Sequence, residues 1–294
     1  MKKYYILIIS IISIIQMNAQ IKAVTTTTTI ANIVETIGGN KVTVEYLCRG
    51  DQDPHFLEVL PSYMLKLRKA DIVFKVGMDL EKWLPQLIDG SRNDNLKLVD
   101  LSENISKKEV LSGKVDASQG DVHPYGNPHY WLDPDNTKIM AEEISNILSE
   151  IDSKNSDYFR KNLDNFKKEI DSRMKDWTGK LAVLKQKNII TFHKSWIYFT
   201  DRFDLKVVGN VEPKPGIAPT PSHDAEIIQL IKKDNIKIIL MENYYSDAAP
   251  KHISESTGVK VVKVPIAVNG IQEVDSYIKL MDYIIKQIYE NVNG

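Results

Sequence analysis

Strand-like and helix-like patterns alternate along the first half of the chain. Runs rich in Val, Ile and Thr occur at 21–29 (IKAVTTTTT), 41–47 (KVTVEYL), 71–77 (DIVFKVG) and 96–101 (LKLVDL). Apolar residues at helical spacing predict helices over 30–37, 62–69, 80–87 and 136–151. This βαβ order predicts a mainly parallel sheet that is covered by helices.

The same order returns in the second half of the chain. Strand-like runs lie at 188–192, 206–211, 236–241 and 259–264, and helical patterns lie at 194–202, 222–234, 247–256 and 271–290. The fold class that we predict is α/β, with two lobes that each contain a mainly parallel four-stranded sheet flanked by helices.

A long helical stripe separates the two halves. Apolar residues recur there every three or four positions, at Phe159, Leu163, Phe166, Ile170, Met174, Trp177, Leu181 and Leu184. The stripe predicts one helix of roughly 30 residues, about 45 Å long, with Ser156 as its N-cap. We expect a rigid link between the lobes, with coiled-coil pairing as the alternative. The predicted division is 21–152 for the first lobe, 153–186 for the link and 187–294 for the second lobe.

The first 20 residues differ from the rest. Lys2 and Lys3 precede an apolar run over 4–15, and Ala19 follows in a more polar stretch. This order predicts a signal peptide over 1–20 and therefore an exported, soluble protein without direct membrane insertion after cleavage. An uncleaved membrane anchor is the alternative. No cysteine follows the apolar run, so the pattern does not indicate a lipid-attachment site.

Charge and cysteine content narrow the classes of function. The net charge of −1 offers no surplus of basic residues for nucleic acid, which argues against a nucleic-acid partner. Cys48 is the sole cysteine, so an intrachain disulfide is excluded. Because Cys48 ends an alternating strand pattern, we expect it to be a small buried residue.

Three histidines follow predicted strands in loops that lead into helices. His55 lies in GDQDPHFLEVLPS, His129 in GNPHYWLDP and His193 in IITFHKSW. Ligand groups in parallel α/β sheets gather at the carboxyl ends of strands, so these loops can converge on a cleft between the lobes. Neutral imidazole suits zinc and other late first-row metals. The prolines around His129 restrict its loop, which favours a fixed ligand.

Acidic residues near these loops supply further candidates. Glu242 ends the strand at 236–241, where its carboxylate would either be the fourth ligand or cap a neighbouring helix. Asp53 and Asp133 are candidates for orienting the ligating histidines. The sequence leaves three roles for His123: support of the site, packing of its loop, or ligation of the metal ion. We expect His223 to start a helix and His252 to be exposed on one.

Four segments together resemble a known family: DQDPHFLEVLPSYMLKLRKADIVFKVGMDLEKWL, GNPHYWLDPDN, TFHKSWIYFTDRFDLKVV and EPKPGIAPTPSHDAEIIQLI. They are similar to the solute-binding proteins of zinc and manganese ABC transporters, the TroA-like cluster, from about residue 22 to 290. The resemblance implies two α/β lobes joined by one rigid helix, metal in the cleft, and delivery to a membrane permease. It also implies that His55, His129 and His193 are ligands.

The chain departs from the family pattern in three places. Manganese-selective members often have a carboxylate where this chain has His193. Many members have an aspartate after the last strand, whereas 261–270 contains no acid. The long His-rich loop of some zinc members is missing. The fourth ligand position is therefore open, with Glu242 as its candidate.

The function that the sequence predicts is capture of a divalent metal ion, zinc first and manganese as the alternative, by a periplasmic monomer that feeds an ABC permease. A metalloenzyme is one rival, because three histidines with an open position also make a catalytic zinc site, with Glu242 or Asp53 as general base. No HExxH pattern supports that rival. A surface adhesin of the same family is the other rival.

Overall fold

Two parallel sheets with the same strand order form the framework of the molecule. The structure is a computed structural model that describes residues 20–112 and 120–293. The first sheet has the order β2-β1-β3-β4 and the second the order β6-β5-β7-β8, and every pair of neighbouring strands is parallel. The strands are β1 Ile21–Thr27, β2 Val42–Cys48, β3 Ile72–Lys75, β4 Lys97–Asp100, β5 Asn188–Thr191, β6 Lys206–Asn210, β7 Ile238–Glu242 and β8 Lys260–Val264. The predicted fold class is confirmed.

Helices flank both sheets. They are α1 Thr28–Gly38, α2 Pro61–Lys69, α3 Leu84–Ser91, α4 Pro134–Ile151, α5 Ser156–Ala182, α6 Ile197–Arg202, α7 Pro221–Asp234, α8 Ala248–Thr257 and α9 Tyr277–Asn293. None of the helices within the described ranges has the length and apolar character needed to cross a membrane. The predicted signal peptide lies almost entirely outside the described residues.

The structure shifts several predicted boundaries. Strand β1 ends at Thr27, earlier than predicted. The side chain of Thr27 accepts a hydrogen bond from the backbone N–H of Ile30, so Thr27 caps α1 and the next threonines are helical. Helix α3 starts later than predicted, since Gly77, Met78 and Asp79 all have positive φ and form a turn. Helix α9 likewise begins only at Tyr277, after a turn in which Asn269 has a φ of 58°.

Helix α5 contacts both halves of the chain. It packs against α1 and α4 on one side and α9 on the other. Asn162 Nδ2 donates to Ile37 O at 2.9 Å, and Trp177 Nε1 donates to Asp282 Oδ1 at 2.7 Å. The apolar stripe is buried within this one chain, which removes the reason for coiled-coil pairing. Ser156 is the first helical residue and not the N-cap; Asn155 occupies that position without a side-chain cap bond.

Direct contacts also join the two halves beside α5. Trp131 Nε1 donates to Ile266 O at 2.7 Å. The guanidinium of Arg202, at the end of α6, donates to both carboxylate oxygens of Asp133 at 2.8 and 3.0 Å. These contacts fix the loop before α4, which carries His129, against the second half of the chain. Cys48 is buried at the end of β2, as predicted.

Candidate metal centre

The three predicted histidines meet between the two sheets. His55 lies in the loop after β2, His129 in the loop before α4, and His193 directly after β5. All three are buried, and their ring centroids are 5.1 to 5.6 Å apart. One ring nitrogen of each histidine lies within 4.8 Å of the corresponding nitrogens of the other two. The chain therefore brings together an imidazole cluster from both halves.

Carboxylates orient two of these rings. Asp53 Oδ1 lies 2.6 Å from Nδ1 of His55, and Glu212 Oε2 lies 2.6 Å from Nδ1 of His193. An ionised carboxylate only accepts, so each Nδ1 carries the hydrogen and each Nε2 presents a lone pair. Metal-ligating histidines usually donate their other ring N–H to such an acceptor. The predicted orienting role of Asp53 agrees with this contact.

An amide orients the third ring. Asn127 Nδ2 donates to Glu109 Oε2 at 2.9 Å and to Lys194 O at 2.6 Å, which identifies its Oδ1 as an acceptor. That Oδ1 lies 2.9 Å from Nδ1 of His129, so Nε2 of His129 also presents a lone pair. Asp133, the other candidate for orienting a ligating histidine, is not the acceptor of the His129 ring. Asp133 instead caps α4 and accepts from Arg202.

The Nε2 atoms are available for a ligand. Those of His55 and His129 are buried and have no hydrogen-bond partner among the described residues. A buried acceptor without a partner is costly, and such groups mark a bound ligand or water. Zn–N bonds of about 2.0–2.1 Å in a tetrahedron place ligand nitrogens about 3.3 Å apart. The three ring nitrogens lie within 4.8 Å of one another, so they would move closer together to bind zinc.

The electrostatics of the three rings differ. Burial, followed by the charges of His55, His193 and His123, holds the pKa of His129 well below its usual range, so its imidazole is neutral at neutral pH. Burial also lowers the pKa of His193, but the hydrogen bond that its ring donates to Glu212 and the charge of Glu242 outweigh this effect and raise that pKa above its usual value of 6.5. A proton therefore competes more strongly with a metal ion at His193 than at His129.

Glu242 lies at the base of the cluster, at the end of β7. Its Oε1 accepts from Trp196 Nε1 at 3.0 Å, and its Oε2 is buried without a hydrogen-bond partner among the described residues. Burial raises its pKa to about 7, against the lowering effects of His193, Ser195 and Trp196. Within the described chain, no Glu242 oxygen belongs to the set of atoms that lie within 4.8 Å of one another.

The other histidines are placed as follows. His123 lies against His55, with ring centroids 5.2 Å apart, and so stands beside the cluster. His223 lies in the first turn of α7, where its backbone N–H donates to the capping Thr220. His252 is exposed on α8. The expectations for His223 and His252 are confirmed.

Sequence reasoning missed Glu212 and Asn127. Glu212 follows the end of β6 by two residues, so the strand-end rule that selected the histidines also applies to it. Asn127 precedes His129 by two residues, and its side chain accepts from the His129 backbone N–H at 3.1 Å as well as from the ring. Asp53 makes the same pair of contacts with His55. The short polar residue two positions before a ligand is therefore a usable signal.

Comparison with known proteins gives the family of the chain. The family model described as zinc-uptake complex component A, periplasmic (ZnuA), matches residues 23–291. The chain belongs to the ZnuA family. Its members are metal-binding solute-binding proteins and not enzymes, so the metalloenzyme interpretation does not hold.

Individual relatives agree with this placement. The metal ABC transporter substrate-binding lipoprotein SloC of Streptococcus mutans is 27% identical over 92% of this chain and 89% of its own. The manganese ABC transporter substrate-binding lipoprotein PsaA of Streptococcus mitis is 26% identical over 93% of this chain and 89% of its own. A crystal structure of ZnuA shares the fold, with a TM-score of 0.81 and 24% identity over 93% of this chain and 99% of that one.

Proposed function

We propose that this protein captures Zn²⁺ between its two sheets and delivers the ion to the membrane permease of a metal ABC transporter. The observation that carries the proposal is the common arrangement of His55, His129 and His193. Each ring has its Nδ1 held by an oxygen acceptor, and one nitrogen of each lies within 4.8 Å of the others. Three imidazoles that present a ring nitrogen to one point form a metal site.

The ligand type supports zinc. Nitrogen ligands favour zinc over manganese in the stability order of divalent ions, whereas manganese does better with several oxygen ligands. The curated relatives include proteins named for manganese, and the family model is named for zinc. Because the ligand set of this chain is nitrogen-rich, we assign zinc as the cargo and manganese as the ion that competes with it.

For the fourth ligand position we propose Glu242. Its Oε2 is buried beside His193 and has no hydrogen-bond partner within the described chain, so it has an unused acceptor. Glu242 and His193 lie close enough for the charge of each to shift the pKa of the other, which places the carboxylate next to one of the three histidines. A Glu242→Gln variant tests the role, because it keeps the oxygen that accepts from Trp196 but removes the charge. If Glu242 binds the ion, the substitution weakens zinc affinity by at least about tenfold.

We also propose that the protein is exported to the periplasm and acts there as a soluble monomer. The ligands come from both halves of the chain, and the Arg202 to Asp133 contact joins those halves near the site. A single chain can therefore bind the ion with ligands of its own. A permease could release the ion by separating the two halves.

Zinc titration of wild type and two histidine variants tests the site. We expect one ion per wild-type chain and an affinity for His129→Ala that is lower by at least about tenfold, since one of three strong ligands is lost. His252→Ala is the matched control, because His252 is exposed on α8. An affinity of His129→Ala equal to that of wild type would mean that the metal site is elsewhere.

A further inference from the structure

A second group of ligand atoms adjoins the first. Asp121, His123 and His55 each offer one ligand atom, and these atoms lie within 4.8 Å of one another. The group overlaps the three-histidine cluster only at His55. It is the second of the two groups of clustered ligand atoms among the described residues, and the family comparison gives this group no role.

The ring of His123 has no protein partner at either nitrogen within the described ranges. Both ring nitrogens are buried and without a hydrogen bond. Elsewhere in the chain the partly buried His223 satisfies Nε2 with Asn210 at 2.9 Å. A neutral imidazole with two buried, unpaired nitrogens loses hydrogen bonds that water would supply, so a partner outside the described chain is expected there.

The loop that carries Asp121 and His123 is held in place. Asp121 N donates to Pro215 O at 2.8 Å, which ties the loop to the second half of the chain. Gly120 has a φ of 85°, and a Cβ there would lie 2.3 Å from Pro215 O, so this close approach requires glycine. Lys82 Nζ lies 2.6 Å from Asp121 Oδ1, which leaves Oδ2 for another partner.

His55 has a single nitrogen to share between the two groups. Its Nδ1 is held by Asp53 at 2.6 Å, so Nε2 is the ligand atom in either position. One Nε2 lone pair binds one metal ion. The two positions are therefore alternatives, and an ion that leaves one can reach the other without losing His55.

A cavity of about 230 Å³ connects the two positions. Its lining includes Asp121 and His123 from the second group and His129 and His193 from the first. Asp121 and His55 also line a separate, more open cavity together with the exposed Phe56. The second group thus lies on the outer side of the three-histidine cluster.

From this geometry we propose that Asp121, His123 and His55 form an outer position for a divalent cation, from which the ion passes inward to His129 and His193 while His55 stays bound. This inference rests on the proposed function. Asp121, which also pairs with Lys82, offers a carboxylate oxygen to a hydrated cation, whereas the inner position holds the ion with nitrogen ligands. The transfer exchanges ligands around the ion and changes no oxidation state.

Removal of the inner ligands tests the outer position directly. In a His129→Ala/His193→Ala chain, we expect one Zn²⁺ or Co²⁺ still to bind, at least tenfold more weakly than in wild type. Adding His123→Ala should weaken that binding by a further tenfold or more, and adding His252→Ala should leave it unchanged. Loss of all binding in a folded double variant, or binding that does not depend on His123, overturns the outer position.

Uptake kinetics test the transfer in a chain with an intact inner site, and they decide the question if the double variant does not fold. Co²⁺ uptake can be followed by quenching of tryptophan fluorescence, because Trp131 lies 5.3 Å from His129 between ring centroids. We expect His123→Ala and Asp121→Asn to slow uptake at least threefold, with His252→Ala as the control. Unchanged rates overturn the transfer.

The two proposals fail in different ways. If the proposed function is wrong, wild type itself binds no ion or binds it independently of His129. If only the outer position is wrong, wild type binds one ion through His129, and the His123 and Asp121 variants match the control in both experiments.

Discussion

Glu212 Oε2 lies 2.6 Å from Nδ1 of His193, and both side chains are buried. The two residues follow neighbouring parallel strands, β5 and β6, of the second sheet. The contact fixes the direction in which His193 presents Nε2 and makes its imidazole more basic. If His193 binds the metal ion as proposed, this contact sets both the strength of metal binding and its dependence on pH.

The first prediction concerns Glu212→Gln. The amide keeps the size and an acceptor oxygen but removes the charge, so zinc affinity at pH 8 should fall by about 10–100-fold. The pKa of His193 should fall as well, since Glu212 helps to raise it. The acid limb of the affinity profile should then move to lower pH than in wild type. Titrations between pH 5 and 8 measure both effects.

A matched control for this prediction is Glu226→Gln. Glu226 is exposed and lies 3.6 Å from Nδ1 of His223, so the pair has the same residue types without the burial or the metal site. Its zinc affinity should equal that of wild type at every pH. A Glu212→Gln profile that coincides with the Glu226→Gln profile would show that Glu212 does not act on the metal through His193.

The sequence predicted which histidines lie together, because parallel α/β sheets place strand-end loops by a rule that needs no coordinates. His55, His129 and His193 each stand where a strand-end loop leads towards a helix, and the two sheets bring these loops together. The alternation of strands and helices could also be predicted from the sequence, since the buried residues of each βα unit follow a regular apolar spacing.

The side-chain contacts around those histidines could not be predicted from the sequence in the same way. Asp133 and Asn127 are both short polar residues near His129, and the choice between them depends on Arg202, which lies 69 residues from Asp133 and draws its carboxylate away. The clustering of His123 with His55 similarly depends on a loop held by Pro215. Long-range partners decide such contacts, and periodicity carries no information about them.

The second prediction concerns pH and the stability of the metal-free protein. The pKa of Glu242 is raised to about 7 by burial, so between about pH 4.5 and 7 the folded chain keeps a proton that the unfolded chain releases. The raised pKa of His193 acts with the same sign above pH 6.5. Both groups therefore stabilise the metal-free fold at low pH, and this contribution is lost as pH rises through their folded pKa values.

Thermal unfolding with and without zinc measures this linkage. Wild type without metal should lose stability from pH 5 to 8 more steeply than Glu242→Gln, which cannot titrate at that position. Added zinc should raise the melting temperature more at pH 8 than at pH 5, because protonated imidazole cannot bind metal. Equal pH slopes for the two metal-free proteins would contradict the raised pKa of Glu242.

The third prediction concerns shape. Helix α5 packs against both halves, and Arg202 joins Asp133 across them, so metal should change the angle between the halves only slightly. Solution scattering should give the same radius of gyration with and without zinc. Arg202→Ala removes the bidentate contact and leaves the buried Asp133 without this donor, so it should lower the free energy of unfolding by about 1–3 kcal/mol. A large compaction of wild type on adding zinc would instead indicate a flexible hinge.

The final prediction concerns metal selectivity. It asks whether replacing a nitrogen ligand by an oxygen ligand moves the preference from zinc towards manganese. His193→Glu alone would place a new carboxylate next to Glu212, and the repulsion would obscure the result. The informative variant is therefore His193→Glu/Glu212→Gln, which exchanges a nitrogen ligand for oxygen while keeping one carboxylate at the pair.

Wild type in equal free zinc and manganese should hold zinc, because nitrogen ligands favour it. The double variant should shift the zinc-to-manganese affinity ratio towards manganese by at least about tenfold, with Glu212→Gln alone as the control for the lost charge. If manganese displaces zinc from wild type, the nitrogen ligands do not decide the selectivity, and Glu242, the proposed oxygen ligand, is the first carboxylate to substitute.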